Sequence, residues 1–293
     1  MINSNSIAIT GASGFIGRHL LARITGQGKV GLVGIGRSDI PGNLPADVAW
    51  RKVNNYESQE LASAFSGCST LIHLADGADR TNGAISDHKG LIRAIASSSI
   101  SHVILASSIY AKTDKKDSEN QYGNRKRQLE DALKTIPNIA VTAFRLPPVY
   151  GPGCKGGFAT LATLLKKGWP LPIKTATELR DYIAVQNVTD LFIASLETGQ
   201  VEPFTLIEPS DGQPISTADL AIAIADAIEQ PARLFAVPNG VLRGLGRVSG
   251  KQLQIDALMS TLRVSHSVEE VASMTGGWRP SIQMPESLSF LKS

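Results

Sequence analysis

A glycine-rich turn near the start of the chain constrains the fold more than any other feature of the sequence. The apolar run Ile7-Ala8-Ile9-Thr10 leads directly into Gly11-Ala12-Ser13-Gly14-Phe15-Ile16-Gly17, and a helical pattern continues to Thr25. Glycine at 11 permits a tight turn, and glycine at 17 lets the following helix pack close to the strand. The chain therefore opens with a strand, a tight turn and a helix.

The remainder of the first half repeats this alternation. Four further short apolar runs lie at Val30 to Ile35, Thr70 to Leu74, His102 to Ala106 and Ile139 to Arg145. Three helical patterns separate them, at Glu57 to Ser66, Lys89 to Ser97 and Tyr122 to Lys134. Short, continuous apolar runs are typical of strands buried on both faces of a parallel sheet. We therefore predict an α/β fold with a doubly wound, Rossmann-like parallel sheet.

In this context the glycine turn predicts a dinucleotide site. Gly14 lets a phosphate approach the backbone. The amides that open the helix, including those of Phe15 and Ile16, face the pyrophosphate with a favourable dipole. The spacing of glycines at 11, 14 and 17 is informative because it follows the first strand of an alternating pattern.

The end of the second strand bears on which dinucleotide binds. Gly36 stands where an acid would accept a hydrogen bond from the ribose 2′-hydroxyl, and Arg37 follows it. An arginine here can pair with a 2′-phosphate, which favours NADP(H). NAD(H) is the alternative, with Arg37 at the surface and Asp39 or a backbone group at the ribose.

Three side chains form a candidate catalytic group. A spacing of four places Tyr122 and Lys126 on one face of a helix. The lysine ammonium favours the phenolate and lowers the pKa of a neighbouring tyrosine, and Lys126 can also reach the nicotinamide ribose. Ser108 ends a strand, where its hydroxyl can hold a substrate oxygen beside the phenol. A surface Tyr and Lys on an amphipathic helix is the alternative interpretation.

The sequence changes character after Arg145. Leu146 to Gly153 is rich in breakers. Beyond it come helical patterns at Phe158 to Lys167 and Thr217 to Ile228, and a strand near Phe204 to Glu208. We predict a dinucleotide-binding domain over residues 1–150 and a smaller substrate-binding lobe over residues 151–293, from which the chain can return to the first domain.

Composition narrows the class of protein. The chain has 293 residues, a net charge of +3 and two cysteines, Cys68 and Cys154. Two unpaired thiols favour a reducing compartment, and we expect a cytoplasmic protein. The basic residues between Lys112 and Arg127 are interrupted by acids, so we expect no nucleic-acid binding. The sequence shows neither an apolar run long enough for membrane insertion nor metal-ligand spacing.

Several motifs together resemble the extended short-chain dehydrogenases/reductases, specifically the NAD-dependent epimerase/dehydratase family that acts on nucleotide sugars. In chain order they are Gly11, Gly14, Gly17, His73-Leu74-Ala75, Ser108, Tyr122, Lys126 and Tyr150-Gly151-Pro152-Gly153. The resemblance implies cofactor contacts at Leu74 and Ala75, and an adenine contact at Asn54, where an acid is more usual. It also implies a nicotinamide-side hydrogen bond near Asp87, where Asn is more usual.

The resemblance extends into the second lobe and implies a UDP-sugar substrate. Arg180-Asp181-Tyr182-Ile183 resembles the segment whose arginine meets the nucleotide-sugar diphosphate. Gly156-Gly157-Phe158 resembles a segment that holds the uridine end, which makes Phe158 a candidate substrate contact. A salt bridge from Arg180 to Asp181 or Glu178 is the alternative. The family also forms homodimers, so a homodimer is one implied assembly.

The tail between Ala232 and Pro280 is most similar to bacterial surface-polysaccharide enzymes that reduce UDP-4-keto-6-deoxy-N-acetylhexosamines. A reductase of this kind is the leading hypothesis. A UDP-sugar 4-epimerase with tightly bound NAD uses the same residues and is the second. A non-catalytic dinucleotide sensor is the third, although a sensor does not require Ser108, Tyr122 and Lys126. A dehydratase is disfavoured because Ile109 and Tyr110 stand where its extra acid and base would follow the serine.

Overall fold

The structure, a computed structural model, describes residues 6–25, 31–42, 44–54, 58–75, 88–112, 121–198, 202–238, 240–241, 244 and 260–292. The chain divides into two compact units. Unit 1 comprises Met1–Arg145, Thr189–Ile207 and Ser273–Trp278, and unit 2 comprises Leu146–Val188, Glu208–Ala272 and Arg279–Ser293. The first segment of unit 1 thus ends at Arg145, whereas the sequence predicts a boundary after residue 150. The chain later returns to unit 1 twice.

The described residues of unit 1 contain a parallel sheet, as predicted, and it has seven strands. Its strands are β1 (Ser6–Thr10), β2 (Leu32–Gly36), β3 (Val48–Lys52), β4 (Cys68–His73), β5 (His102–Ser108), β6 (Ala140–Leu146) and β10 (Phe204–Ile207). Their order is β10-β6-β5-β4-β1-β2-β3. All five residues of β1 are buried, because strands cover both its edges and apolar side chains cover its faces. The Rossmann-like α/β prediction is therefore confirmed.

Helices connect the strands of this sheet. They are α1 (Phe15–Ile24), α2 (Ser58–Ala64), α3 (Lys89–Ala96) and α4 (Gln121–Leu133). Leu91 and Ile95 of α3 and Leu129 and Leu133 of α4 belong to one buried cluster with Val103 of β5. This packing follows from the helical spacing of their apolar residues. A fifth helix, α6 (Val185–Thr198), begins in unit 2 and ends in unit 1.

Two edge strands differ from the sequence-based prediction. The sequence patterns do not predict β3, because Val-Ala-Trp-Arg-Lys has only a short apolar run. As an edge strand, β3 keeps part of its surface in solvent. Strand β10 was expected in the second lobe. It instead pairs in parallel with β6, with Phe204 opposite Val141 and Ile207 opposite Phe144, because its apolar side chains extend the sheet of unit 1.

Unit 2 has short strands and a helical core. Its strands are β7 (Val149–Tyr150), β8 (Leu179–Arg180), β9 (Ile183–Ala184) and β11 (Ile215–Ser216). Its helices are α5 (Gly157–Lys166), α7 (Thr217–Ala227), α8 (Val268–Met274), which ends in unit 1, and the 3-10 helix Glu286–Lys292. None of the helices that the structure describes combines the length and apolarity needed to cross a membrane.

A buried carboxylate organises unit 2. Asp211 accepts hydrogen bonds from Tyr150 Oη at 2.8 Å, from Asn187 Nδ2 at 2.7 Å and from the backbone amide of Ala184 at 3.0 Å. Burial raises the pKa of Asp211 to about 6, although these donors oppose the shift. The network connects β7, β9 and α6 to the loop before β11.

Candidate active site

The glycine turn has the backbone that the sequence predicts. Gly11 has φ of +71°, in the left-handed region that favours glycine. Its carbonyl accepts from the amide of Gly14 at 2.8 Å. A Cβ at Gly17 would lie 2.4 Å from the Gly11 carbonyl oxygen, so only glycine allows α1 to approach the turn this closely. A Cβ at Gly11 would lie 2.8 Å from the amide nitrogen of Ala75, which places the end of β4 against the turn.

The start of α1 fits a dinucleotide pyrophosphate. Its N-cap residue is Gly14, which is exposed and has no side chain to bond the first amides. Phe15, Ile16 and Gly17 follow, and the first turn contains no acid. The amides at a helix N-terminus carry partial positive charge that attracts phosphate. We therefore consider that Gly14, Phe15 and Ile16 could hold the pyrophosphate through their backbone.

The end of β2 holds the candidate ribose-binding residues. Arg37 follows Gly36 directly and is exposed. Asp39, the alternative ribose acceptor, accepts a hydrogen bond from Lys52 Nζ at 2.6 Å. Asn54 lies just beyond β3, where its backbone amide donates to Glu60 Oε1 at 2.7 Å. The indole of Trp50 covers Gly34 and Gly36. The sequence patterns do not predict this contact, because the three apolar residues of β3 are followed by two basic ones and do not stand out as a strand.

Tyr122 and Lys126 lie near each other at the start of α4. The Nζ of Lys126 is 5.8 Å from the centroid of the Tyr122 ring and donates to the carbonyl oxygen of Ala106 at 2.9 Å. Lys126 is 5% exposed and Tyr122 is 40% exposed. The tyrosine can therefore meet a ligand from outside while the ammonium acts on it from inside.

Ser108 ends β5 on the same side of unit 1. It is buried, and its Oγ accepts from the amide of Tyr110 at 3.3 Å. The Tyr110 ring makes an edge contact with the Tyr122 ring, with centroids 6.5 Å apart. Tyr110 contacts both Ser108 and Tyr122, and the carbonyl of Ala106 binds Lys126, so the three candidate residues lie near one another. The sequence patterns do not indicate these roles of Tyr110 and Ala106.

A buried ion pair lies next to Ser107, the neighbour of the candidate catalytic residue Ser108. Glu130 is 1% exposed. Its carboxylate accepts hydrogen bonds from Arg145 Nη2 at 2.7 Å and from Arg145 Nε at 3.0 Å. The same carboxylate accepts a short hydrogen bond from Ser107 Oγ. This arrangement joins α4, β5 and β6. It fixes the backbone that carries Ser108, which sequence patterns do not reveal because the three residues are distant along the chain.

His73 is a neutral, buried histidine at the end of β4. Its Nδ1 lies 2.7 Å from Thr10 Oγ1. Burial and, to a smaller extent, the positive charges of Lys126 and His88 together lower the pKa of His73 to about 3. His73 therefore joins β4 to the strand that precedes the glycine turn, and Leu74 continues the contact by donating its amide to the Thr10 carbonyl at 3.1 Å.

The candidate substrate residues belong to unit 2. Arg180 is 5% exposed and donates from Nη1 to the Ser260 carbonyl at 2.7 Å. Asp181, one of the two acids in the salt-bridge alternative, accepts hydrogen bonds from Arg263 Nε at 2.9 Å and from the amide of Val264 at 2.8 Å.

Phe158, which the sequence predicts as a substrate contact, belongs to the buried cluster of unit 2. Its ring is stacked on Tyr150 at 5.3 Å and on Phe290 at 6.3 Å, which places it in the core of unit 2. The prediction rests on the similarity of the flanking glycines, and that similarity does not indicate that Tyr150 and Phe290 pack against the Phe158 ring. Asp87, the other implied cofactor contact, lies outside the described residues.

Comparison with known proteins agrees with this architecture. The sequence profile of the NAD dependent epimerase/dehydratase family matches residues 7–205. The chain is 32% identical over 174 residues to a UDP-glucose 4-epimerase from Vibrio cholerae, an alignment that covers 57% of this chain and 51% of the relative. It is 26% identical over 227 residues to a UDP-2-acetamido-2,6-beta-L-arabino-hexul-4-ose reductase from Pseudomonas aeruginosa, covering 73% and 55%. The chain thus spans about half the length of these curated relatives.

A third relative and two solved structures are similar over more of their length. The chain is 27% identical over 242 residues to a CDP-abequose synthase from Salmonella typhimurium, covering 76% of this chain and 80% of that protein. MoeE5 in complex with UDP-glucose and NAD has a TM-score of 0.73 at 19% identity, covering 98% and 97% of the two chains. The UDP-glucose 4-epimerase of Thermotoga maritima has a TM-score of 0.74 at 17% identity, also covering 98% and 97%.

The two structural matches show that the fold is shared. The profile match covers the glycine turn, Ser108, Tyr122 and Lys126, and it ends within β10, the last strand of the sheet in unit 1. This protein belongs to the NAD-dependent epimerase/dehydratase family.

Proposed function

We propose that the protein is an NAD(P)H-dependent oxidoreductase that reduces a UDP-4-keto-6-deoxy-N-acetylhexosamine at C4. The observation that carries the proposal is the position of Lys126, whose buried Nζ lies 5.8 Å from the ring of a half-exposed tyrosine. The similarity to the P. aeruginosa reductase supports a 4-keto UDP-sugar as substrate. A reaction that draws on reduced cofactor is consistent with the cytoplasmic location expected from free Cys68 and Cys154.

In the proposed reaction the bound nicotinamide dinucleotide supplies the hydride. The Ser108 hydroxyl donates a hydrogen bond to the substrate carbonyl oxygen and so holds it beside Tyr122. The phenol of Tyr122 gives its proton to this oxygen as the alkoxide forms. The ammonium of Lys126, held by the Ala106 carbonyl, stabilises the phenolate that is left. Solvent can then return a proton to Tyr122, which is exposed.

Cofactor preference is the second part of the proposal. We assign NADP(H), because Arg37 follows a glycine at the end of β2 and because Asp39 is paired with Lys52. A reductase exchanges its cofactor at each turnover and uses the pool that is kept reduced. An arginine that pairs with a 2′-phosphate suits this requirement.

A 4-epimerase is the second candidate, favoured by the 32% identity to the V. cholerae enzyme. It would use the same three side chains. An epimerase returns the hydride to the same substrate, so tight and permanent binding of NAD favours its turnover. The intact Ser108, Tyr122 and Lys126 argue against the third candidate, a sensor without chemistry.

One experiment separates the three candidates. The purified protein is denatured, the released dinucleotide is measured, and fresh protein is incubated with UDP-sugars and 4-keto intermediates, with and without NADPH. The reductase hypothesis predicts little bound dinucleotide and one NADPH consumed for each sugar reduced. Tightly bound NAD with interconversion of UDP-sugars and no added reductant would establish the epimerase. Dinucleotide binding without any turnover would favour the sensor.

A further inference from the structure

We propose that Trp50 is the residue that determines cofactor choice in this protein, by excluding an acidic side chain from position 36 and by positioning Arg37. This inference rests on the proposed NADP(H)-dependent function. It concerns a residue of β3 that belongs neither to the glycine turn nor to the catalytic group.

The register of the sheet places the indole over the end of β2. Gly34 pairs with Trp50 and Gly36 pairs with Lys52, so these positions share one face of the sheet. A Cβ at Gly34 would lie 2.8 Å from Trp50 Cε3, and a Cβ at Gly36 would lie 2.6 Å from Trp50 Cζ2. The ring thus fills the space that side chains at 34 and 36 would need.

The two glycine positions that the ring covers lie beside the glycine turn. The Cβ position at Gly36 is 3.8 Å from Ser13 Oγ, and that at Gly34 is 3.4 Å from the Cβ of Ala12. Ala12 and Ser13 belong to the turn that precedes α1. The indole therefore stands on the face of the sheet where the adenosine end of a dinucleotide would follow its pyrophosphate.

Exclusion of an acid is the first consequence. In an NAD-type site a carboxylate at the end of the second strand accepts from the ribose 2′-hydroxyl. At position 36 even the first carbon of such a side chain would overlap the indole, because carbon atoms do not approach within 2.6 Å without bonding. An acid and Trp50 in its present position are incompatible.

Positioning of Arg37 is the second consequence. Trp50 Nε1 donates to the carbonyl of Ser38 at 3.2 Å, and the carbonyl of Gly36 accepts from the amide of Val53 at 3.0 Å. The residues on both sides of Arg37 are therefore held by β3 or its continuation. Loss of the indole would release one of these two attachments as well as the steric block.

The test measures binding of NADPH and of NADH to the purified protein by calorimetry, without any sugar. The variants are Trp50→Val, Gly36→Asp and the double substitution. Trp169→Val is the matched control, because Trp169 is 58% exposed in unit 2. Thermal melting confirms that each variant is folded. Should Trp50→Val fail to fold, Trp50→Phe removes the bond to Ser38 while keeping an aromatic ring.

We expect Trp50→Val or Trp50→Phe to weaken NADPH binding by about tenfold with little change for NADH, since a fixed arginine mainly affects the phosphate. Gly36→Asp should weaken both cofactors. The double variant should bind NADH about tenfold more tightly than Gly36→Asp does, because removal of the ring admits the carboxylate. Trp169→Val should change neither affinity.

Equal NADH affinity in Gly36→Asp and in the double variant would overturn the role of Trp50. So would unchanged NADPH affinity on removal of the indole. The wild-type titration tests the underlying function separately, because a wild type that prefers NADH contradicts the NADP(H) assignment whether or not positions 36 and 50 are coupled.

Discussion

Lys126 donates from Nζ to the carbonyl oxygen of Ala106 over 2.9 Å, which attaches helix α4 to strand β5 two residues before Ser108. The same Nζ lies 5.8 Å from the centroid of the Tyr122 ring. One buried ammonium therefore contacts both the strand that carries Ser108, the candidate substrate-binding hydroxyl, and the ring of Tyr122, the candidate proton donor. The carbonyl bond orients the lysine and leaves its charge available to the phenol.

Substitution of Tyr122 by Phe tests its role as the proton donor. We expect kcat to fall by about 10²–10⁴, because loss of one acid-base group has this effect, with cofactor affinity nearly unchanged. Steady-state kinetics and calorimetry measure the two quantities. Tyr110→Phe is the matched control, since it keeps the ring contact with Tyr122. Retention of more than about a third of the wild-type rate by Tyr122→Phe would show that the proton comes from another group.

The glycine turn predicts an order of stability. Gly17→Ala should destabilise the protein more than Gly14→Ala, because the new Cβ would lie 2.4 Å from the Gly11 carbonyl oxygen at position 17 and 2.9 Å at position 14. Both contacts involve backbone, so neither neighbour can move freely. Urea denaturation measures the free energy of unfolding of both variants. An equal loss, or a greater one at position 14, would contradict the geometry of the turn.

The buried pair of Glu130 and Arg145 predicts a strong coupling. Glu130→Gln should lower the free energy of unfolding by about 3 kcal/mol, because it leaves a largely buried guanidinium without its charge partner. The double variant with Arg145→Met should recover part of this loss, since it removes the unpaired charge. Denaturation of the wild type, both single variants and the double variant completes the cycle. Additive losses would mean that the pair is not coupled.

Much of unit 1 could be predicted from the sequence, and the reason is local. Strands such as β1 and β5 are continuous apolar runs, and the glycine spacing records steric limits that act within a few residues. The partners of Lys126 and Glu130 could not be predicted, because Ala106 and Arg145 offer a carbonyl and a guanidinium whose positions depend on the whole sheet. The contact of Trp50 with Gly34 and Gly36 could not be predicted either, since β3 lies at the edge of the sheet and has only three consecutive apolar residues before Arg51 and Lys52.

The pKa of His73 predicts how stability depends on pH. His73 ordinarily titrates near 6.5, and burial lowers its folded-state pKa to about 3. Between these values the unfolded chain binds a proton that the folded chain does not, so stability falls as pH decreases from 6.5. The loss from this group should reach about 2 kcal/mol at pH 5. His73→Gln should therefore show a smaller deficit against wild type at pH 5 than at pH 8. A deficit independent of pH would mean that folding does not lower the pKa of His73.

Arg180 is the residue on which the assignment of the nucleotide-sugar site depends. It is 5% exposed, and its Nη1 already donates to the carbonyl of Ser260 at 2.7 Å and to the Oγ of Ser260 at 3.3 Å. A guanidinium has five N–H donors, so this contact can orient the side chain while other donors meet a phosphate. We expect Arg180→Ala to raise the KM for the UDP-sugar by about tenfold or more and to leave NADPH affinity unchanged. Ser260→Ala is the control, because it keeps the backbone acceptor and should leave both values near those of wild type. A lower melting temperature with an unchanged KM would assign Arg180 to the structure of unit 2 alone and place the diphosphate on other residues.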